Sequence, residues 1–307
     1  MPEHLPAHAW TSLPTRAAAD RLLASARQAY AVPDGAGLVA APGTQSLIQW
    51  LPHLAPGGAV AVAGPTYAEH AIAWRRHGRT VLDFDADGAI PDGARHLVVV
   101  NPNNPDGRLV APGRLAFLAQ DAARRGGWLV IDESFADVVP EASASGLCAG
   151  HPIVILRSFG KFYGLAGLRL GFLVANPGIA AAFAEALGPW SVAGPALELG
   201  ARALDDGDWA AGTRRWLAAE AEALDHVLDA AGLRVVGGTT LYRLARHPDA
   251  RRIHGELARR RIWVRRFDWD AGLLRFGLPP DAQGRMRLAD ALKACLAHAA
   301  ASGPSAA

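Results

Sequence analysis

Short apolar runs alternate with amphipathic stretches over the first two thirds of the chain. Helical spacing of apolar residues predicts helices at 21–30, 45–54, 69–76 and 114–124. Apolar runs joined by such helices indicate a mainly parallel sheet with helices on both faces. The runs that predict its strands are 38–41, 59–63, 80–84, 97–100, 128–131, 153–156 and 170–175.

The rhythm changes after residue 200. Asp208 is placed to cap a long helix that reaches Gly232, with three leucines on one face, and shorter elements follow it. They predict a smaller α+β unit, with strands at 233–236, 240–244, 262–264 and 273–276 and helices near 250–261 and at the end. We expect a break near Gly194-Pro195 or along the long helix. The predicted organisation is an N-terminal segment packed with the small domain (1–30), a large domain (31–200) and a small C-terminal domain (201–307).

Composition excludes several classes of protein. Half of the 307 residues are hydrophobic, one fifth are charged, and the net charge of +2 is too small for an electrostatic nucleic-acid footprint. No apolar run approaches the ~18 residues of a membrane span, and the first residues do not have the pattern of a signal peptide. Two distant cysteines fit a reducing compartment, so we expect a cytoplasmic protein. The histidines predict no metal site, since Pro6 separates His4 from His8.

Lys161 is the most informative residue. The chain has 31 lysines and arginines, of which only Lys161 and Lys293 are lysines. A lysine retained in so arginine-rich a chain is expected to serve through its amine, which can lose its proton and form an imine with an aldehyde such as pyridoxal phosphate. Lys293 lies on the polar flank of a leucine-rich helix, whereas Lys161 follows an apolar run and enters a glycine-rich turn. The alternative interpretation of Lys161 is a solvated surface charge.

Further motifs at strand ends suit such a cofactor. Gly43-Thr44-Gln45 joins a strand to a helix, whose free N–H groups can bind a phosphate. Tyr67 can stack on a flat ring, although a core tyrosine is the simpler interpretation. Asn104, in a doubled Asn-Pro turn, can donate to a ring hydroxyl, and Asp132 at the end of a buried strand can pair with a protonated pyridine nitrogen. Ser158 and Arg169 flank the lysine and can bind the phosphate.

In this order, the motifs resemble the fold-type I pyridoxal phosphate enzymes of the class I/II aminotransferase family, near the histidinol-phosphate aminotransferases. The resemblance spans roughly residues 10–300 and implies a large α/β domain plus a small α+β domain. It implies that Lys161 carries the cofactor and that Lys161, Asp132 and Tyr67 act in catalysis. It assigns pyridoxal 5'-phosphate to Gly43, Thr44, Gln45, Tyr67, Asn104, Asp132, Ser158, Lys161 and Arg169.

Within the family, four segments are similar to the threonine-phosphate decarboxylases of cobalamin biosynthesis: 64–70, 103–107, 154–172 and 274–279. This likeness implies decarboxylation of L-threonine O-3-phosphate to (R)-1-aminopropan-2-yl phosphate. It assigns the substrate to Arg275, with Arg265 and Asn104 as further contacts. A surface arginine at a strand end explains Arg265 equally well.

The pattern departs from the family at two motifs and at the N-terminus. Asp106 stands where the family has threonine, and Phe135 stands where it has a tyrosine that helps to hold the ring oxygen, so Phe135 is not predicted to be in the site. Members of the family have an N-terminal arm with an Asn-Pro segment that closes over the substrate, and this sequence begins after it, so we expect either a start codon assigned too late or a chain that lacks the arm. We expect folding and cofactor binding without the arm, with weaker substrate affinity.

Three alternatives remain at this level. The cofactor motifs are common to decarboxylases and aminotransferases, so a histidinol-phosphate or other amino-acid aminotransferase is the second candidate. A non-catalytic cofactor-binding module, such as the sensor half of a transcription regulator, is disfavoured. Such a regulator also has a DNA-binding helix-turn-helix segment, and none is recognisable in this sequence. An inactive chain that pairs with a partner is the third. The resemblance implies a homodimer acting on a small phosphorylated amino acid, without nucleic acid, membrane or metal.

Overall fold

The computed structural model describes residues 5–301, with only the backbone described at 297–301. His4 lies outside this range. The chain divides into two compact units: unit 1 is Met1–Asn104 with Leu109–Trp209, and unit 2 is Pro105–Arg108 with Ala210–Ala307. The division at Trp209 falls near the start of the long helix α8 (Gly207–Ala230). Within the described range, no helix has the length and apolarity needed to cross a membrane.

Unit 1 contains a seven-stranded sheet in the order β1-β7-β6-β5-β4-β2-β3. The strands β2 to β6 form four parallel pairs, and β7 runs antiparallel to both of its neighbours, β6 and β1. The predicted mainly parallel sheet is therefore confirmed. The strands are β1 (Gly37–Ala41), β2 (Ala59–Ala63), β3 (Val81–Phe84), β4 (Ala94–Val100), β5 (Leu129–Asp132), β6 (Ile153–Ser158) and β7 (Gly171–Ala175).

Helices pack on both faces of this sheet, because alternate residues of its buried strands point to opposite sides. In β5, Leu129 and Ile131 join the core with α2 and α5, whereas Val130 joins the core with α3 and α4. The helices of unit 1 are α1 (His8–Thr11), α2 (Arg16–Ala29), α3 (Thr44–Leu54), α4 (Glu69–Arg76), α5 (Pro112–Arg124), α6 (Pro177–Leu187) and α7 (Gly194–Asp205).

The N-terminal segment 1–30 differs from the prediction in its packing. Leu22 and Ala26 of α2 are fully buried in the core of unit 1. The cause is their spacing of four residues, which places both side chains on one face of α2. This segment is therefore part of unit 1 in the structure.

Unit 2 has a four-stranded antiparallel sheet in the order β10-β11-β9-β8. Its core includes Leu224 and Leu228 of α8 together with Leu274 and Phe276 of the sheet. The elements beyond α8 are β8 (Arg234–Thr239), β9 (Tyr242–Arg246), α9 (Ala250–Arg259), β10 (Arg265–Arg266), β11 (Leu273–Gly277) and α10 (Ala282–Ala301).

Candidate active site

Strand direction gathers the predicted motifs at one edge of the sheet of unit 1. The parallel strands β2, β4, β5 and β6 all end at this edge. Asp132 is the last residue of β5, and Tyr67, Asn104 and Lys161 lie in the segments that follow β2, β4 and β6. Since β7 is antiparallel to its neighbours, β1 ends there as well and β7 begins there, just after Arg169. Ligands of open α/β sheets bind outside the carboxyl ends of the strands.

A cavity of about 210 Å³ lies at this edge. Every predicted cofactor residue except Gly43 lines it, and Gly43 lies directly behind Arg169, within the same turn as Thr44. The structure therefore brings the predicted set together around one space. The lining residues are Thr44, Gln45, Tyr67, Val100, Asn104, Asp132, Ser134, Phe135, Ser158, Gly160, Lys161, Ala166 and Arg169.

Asp132 is a buried carboxylate held by three hydrogen bonds. Its Oδ1 accepts from the backbone N–H of Ser134 at 2.9 Å and from the Ser134 hydroxyl, and its Oδ2 lies 2.9 Å from Nε2 of His70. Burial raises the pKa of this carboxyl, but the His70 and Ser134 hydrogen bonds outweigh burial, so the pKa is lowered overall. Asp132 is therefore an ionised acid on the cavity wall.

The first turn of α3 forms an anion cradle. Gly43 has φ +82°, and a Cβ there would lie 2.6 Å from a guanidinium nitrogen of Arg169. Gly171 is equally confined, since its Cβ would lie 2.6 Å from the backbone nitrogen of Thr44. Both positions require glycine, which lets Arg169 and the start of β7 approach the helix N-terminus. The helix N–H groups and the exposed guanidinium supply donors and positive charge.

Tyr67 is held by side chains rather than buried in the core. Its hydroxyl lies 3.3 Å from Oε1 of Gln45, and the amide nitrogen of Gln45 donates to Glu69 at 2.9 Å. The half-buried ring thus lies against the cavity with its orientation fixed by α3 and α4. The side chain of Gln45 thus contacts the tyrosine, while its backbone lies in the first turn of α3, the turn predicted to bind the phosphate.

Lys161 follows β6 and is exposed where it lines the cavity. Its Nζ lies 5.5 Å from the centre of the Phe135 ring. Residues on either side of the lysine anchor the loop, because Phe159 and Tyr163 stack with ring centres 4.3 Å apart and Tyr163 stacks on Trp209 at 5.7 Å. An exposed side chain on an anchored loop suits an amine that must reach a bound ligand.

The predicted substrate arginines lie in unit 2. Arg265 of β10 is directly opposite Arg275 of β11 in the antiparallel register. Leu274 and Phe276, the neighbours of Arg275, belong to the core, so Arg275 lies on the other face of β11. Burial lowers the pKa of Arg275, the nearby Tyr242 opposes this, and Arg265 adds to the lowering.

Sequence reasoning missed three residues of the site. His70 and Ser134 bind Asp132, and Phe135 lines the cavity although it was not predicted to be there. The sequence offered only a weak signal for His70, which follows Tyr67 by three residues and lies in the first turn of α4. Ser134 lies two residues after Asp132, where a hydroxyl commonly bonds an aspartate. Among the described residues, no group of three or more His, Cys, Asp or Glu could hold a metal ion.

Relatives of known function match nearly the whole chain. The threonine-phosphate decarboxylase of Sinorhizobium sp. is 45% identical over 94% of this chain and 86% of its own, and that of Pseudomonas aeruginosa is 40% identical over the same shares. The histidinol-phosphate aminotransferase of Pectobacterium atrosepticum is 35% identical over only 48% of this chain and 44% of its own.

Solved structures share the fold. The histidinol-phosphate aminotransferase of Clostridium acetobutylicum has a TM-score of 0.84 at 23% identity, covering 94% of this chain and 91% of its own. The L-threonine-O-3-phosphate decarboxylase of Porphyromonas gingivalis has a TM-score of 0.79 at 21% identity, with 94% and 92% covered. The histidinol-phosphate aminotransferase of Sinorhizobium meliloti, solved with pyridoxal-5'-phosphate, has a TM-score of 0.82 at 20% identity, with 92% and 83% covered.

The sequence model of aminotransferase class I and II matches residues 15–292. This span holds both sheets and every predicted site residue. The chain therefore belongs to the class I and II aminotransferase family.

Proposed function

We propose that this chain is a pyridoxal phosphate-dependent decarboxylase that converts L-threonine O-3-phosphate to (R)-1-aminopropan-2-yl phosphate in cobalamin biosynthesis. The observation that carries the proposal is the identity of 45% and 40% to two threonine-phosphate decarboxylases over 94% of the chain. The histidinol-phosphate aminotransferase of Pectobacterium atrosepticum matches about half of the chain, which makes an aminotransferase the second candidate.

The residues around the cavity fit pyridoxal phosphate. The cradle of Gly43, Thr44 and Arg169 offers N–H groups and a guanidinium to a phosphate, and Ser158 adds a hydroxyl. Asp132 offers an ionised carboxylate to a protonated ring nitrogen. When bound, the cofactor supplies an electron sink for the electron pair left on the substrate Cα when a bond to it breaks.

The chain's own residues hold and orient the reactants. Lys161 would hold the cofactor through its amine, Asn104 would bind the ring hydroxyl and Tyr67 would cover the ring face. Asp132, kept ionised by His70 and Ser134, would hold a proton on the ring nitrogen. These roles are common to decarboxylases and aminotransferases, so they do not select the reaction.

Orientation of the substrate selects the reaction. The bond to Cα that stands perpendicular to the ring is the one that breaks, so a decarboxylase has to fix its substrate with the carboxylate in that position. L-Threonine O-3-phosphate carries two anionic groups, and fixing both requires more than one cation. By the family resemblance, we assign them to Arg275 and Arg265, which lie opposite each other on β11 and β10.

The reaction is tested by supplying L-threonine O-3-phosphate without any keto acid. We expect release of CO2 and formation of an aminopropanol phosphate, measured together by CO2 capture and mass spectrometry. L-Threonine without phosphate serves as the control and should react poorly. Turnover that requires 2-oxoglutarate would make the chain an aminotransferase.

We also propose a homodimer, by family resemblance, which sedimentation analysis would test.

A further inference from the structure

We propose that Tyr242 is a positioning residue that fixes the plane of the Arg275 guanidinium, and through it the orientation in which an anionic group of the substrate is bound. This inference rests on the proposed function, because it assumes that Arg275 binds the substrate. The sequence motifs assigned no role to Tyr242. The structure places its ring against the arginine.

The contact joins two neighbouring strands of unit 2. The guanidinium carbon of Arg275 lies over the Tyr242 ring, 4.8 Å from its centre. Arg275 of β11 is opposite Leu244 of β9 in the antiparallel register, and Tyr242 is two residues before Leu244. Alternate residues of a strand share a face, so Tyr242 and Arg275 are diagonal neighbours on one face of the sheet.

This face is the one opposite the core of unit 2. Ala245 of β9 and Leu274 of β11 are paired in register, and both belong to that core. Tyr242 and Arg275 therefore point away from it. Tyr242 is nevertheless only 4% exposed. A buried aromatic ring that turns away from the core and faces a guanidinium is better explained by that contact than by core filling.

The tyrosine meets the arginine as a neutral ring. Burial raises the pKa of the Tyr242 hydroxyl well above its usual range, although the nearby Arg275 opposes this. The side chain is therefore a neutral phenol, which attracts the guanidinium through the face of its ring and not as an ion pair. A guanidinium that lies over a ring keeps its in-plane N–H groups for a carboxylate or a phosphate.

Support from the ring reduces the freedom of a long side chain. An arginine has several rotatable bonds, and holding its guanidinium in one orientation during binding costs conformational entropy. Tyr242, fixed on β9, orients the guanidinium before the substrate arrives, so less of this entropy is lost on binding. Without the ring, we expect weaker substrate binding, which lowers kcat/KM mainly through a higher KM.

The test compares Tyr242→Leu and Tyr242→Phe in purified full-length enzyme loaded with pyridoxal phosphate. Leucine removes the ring, whereas phenylalanine keeps it and loses only the hydroxyl, which bonds Thr239. We expect Tyr242→Leu to lower kcat/KM for L-threonine O-3-phosphate about 5- to 30-fold. Tyr242→Phe should retain most of the wild-type value. Cofactor affinity, titrated on the cofactor-free proteins, should be unchanged in both.

A double-mutant cycle shows whether Tyr242 acts through Arg275. In the background of Arg275→Gln, Tyr242→Leu should lower kcat/KM little further, because the group that the ring supports is already gone. Tyr242→Met, which also lacks the ring but keeps a long side chain, takes the place of the leucine variant if that variant does not fold.

Phe276→Leu is the matched control, because Phe276 is a buried aromatic residue of β11 that belongs to the core on the opposite face. It should lower the melting temperature and leave kcat/KM near that of the wild type. Equal kcat/KM in wild type and Tyr242→Leu would overturn the inference. So would an equal loss in Tyr242→Phe, or an undiminished loss in the Arg275→Gln background. Failure of the wild-type enzyme to release CO2 from L-threonine O-3-phosphate would instead overturn the proposed function.

Discussion

At the scale of single residues, the two lysines of the chain have different settings. Lys161 lines the cavity at the end of β6, beside Phe135. Lys293 is exposed on α10, next to the buried Leu292. The difference matches the sequence interpretation, in which one lysine serves through its amine and the other is a solvated charge on a helix.

This difference gives a prediction for covalent labelling. Borohydride reduction of the protein incubated with pyridoxal phosphate should fix the cofactor on Lys161, because imine formation needs an amine within the cofactor site. Peptide mapping would locate it. Lys161→Ala should lose the label and about 10²- to 10⁴-fold in turnover, whereas Lys293→Ala should keep both. Labelling of Lys293 alone would refute the site.

The sequence predicts which residues form the site better than it predicts how they are held. Lys161, Asp132, Asn104 and Arg169 were chosen from strand-end motifs, and strand direction alone brings them together. The partner of Asp132 could not be derived in this way. Whether His70 reaches it depends on how α4 packs against β5, and a motif does not record that packing.

At the scale of elements, side chains at the ends of β5 and β6 alternate between the cavity on one side and a buried ion network on the other. Asp132 and Ser158 end β5 and β6 facing the cavity. Glu133, which follows β5, and Arg157, the residue of β6 before Ser158, therefore face the opposite side. There the Arg157 guanidinium bonds Glu133 at 2.8 Å and also Asp137, and it lies 4.4 Å from the centre of the Tyr30 ring. This ion network therefore connects the end of β6 with the segment after β5, on the side away from the cavity.

The network gives a prediction for stability. Burial disfavours the charged Arg157, but the carboxylates of Asp137 and Glu133 outweigh burial and raise the pKa of Arg157. Arg157→Met would leave two carboxylates buried without their cation, which typically costs about 3–5 kcal/mol. Urea unfolding of the cofactor-free protein should show this loss as a lower midpoint, and Arg157→Lys should recover part of it.

The control for this prediction is Arg16→Ala. Arg16 forms an ion pair with Asp20 at 3.7 Å, but both side chains are largely exposed. Solvent screens such a pair, so its removal should leave the unfolding midpoint unchanged. Equal midpoints for wild type and Arg157→Met would show that the buried network contributes nothing.

The elements themselves were predictable to different degrees. Apolar runs located all seven strands of the first sheet and four of its helices, because buried strands leave an almost continuous apolar signal. The helices α6 (Pro177–Leu187) and α7 (Gly194–Asp205) were missed. α6 is rich in alanine, so its periodicity is weak, and both helices have a proline in the first turn, which resembles a loop signal.

At the scale of the whole molecule, the two proposed tasks fall in different units. All of the cofactor residues lie in unit 1, and Arg265 and Arg275 lie in unit 2. The sequence predicted a break near Gly194-Pro195 or along the long helix, with residue 200 as the domain boundary. The structure divides the chain at Trp209, near the start of that helix, where a continuous helical pattern does not mark the exact residue.

Because the proposed cofactor residues and substrate arginines lie in different units, a substitution should be able to weaken substrate turnover without weakening cofactor binding. Arg275→Gln removes a half-buried cation of unit 2 that we assign to an anionic group of the substrate. Loss of a charge-assisted hydrogen bond should lower kcat/KM for L-threonine O-3-phosphate about 10- to 150-fold. The affinity and absorbance of the cofactor should stay at wild-type values, as measured by titration of the cofactor-free protein.

Arg243→Gln is the matched control, because Arg243 lies on β9 of the same sheet but already has an ion pair with Asp225 at 2.7 Å. Its kinetics should remain near those of the wild type. If Arg275→Gln weakened cofactor binding as strongly as substrate turnover, Arg275 would act through the fold and not through the substrate. If it left kcat/KM unchanged, the anionic groups would have to be bound elsewhere.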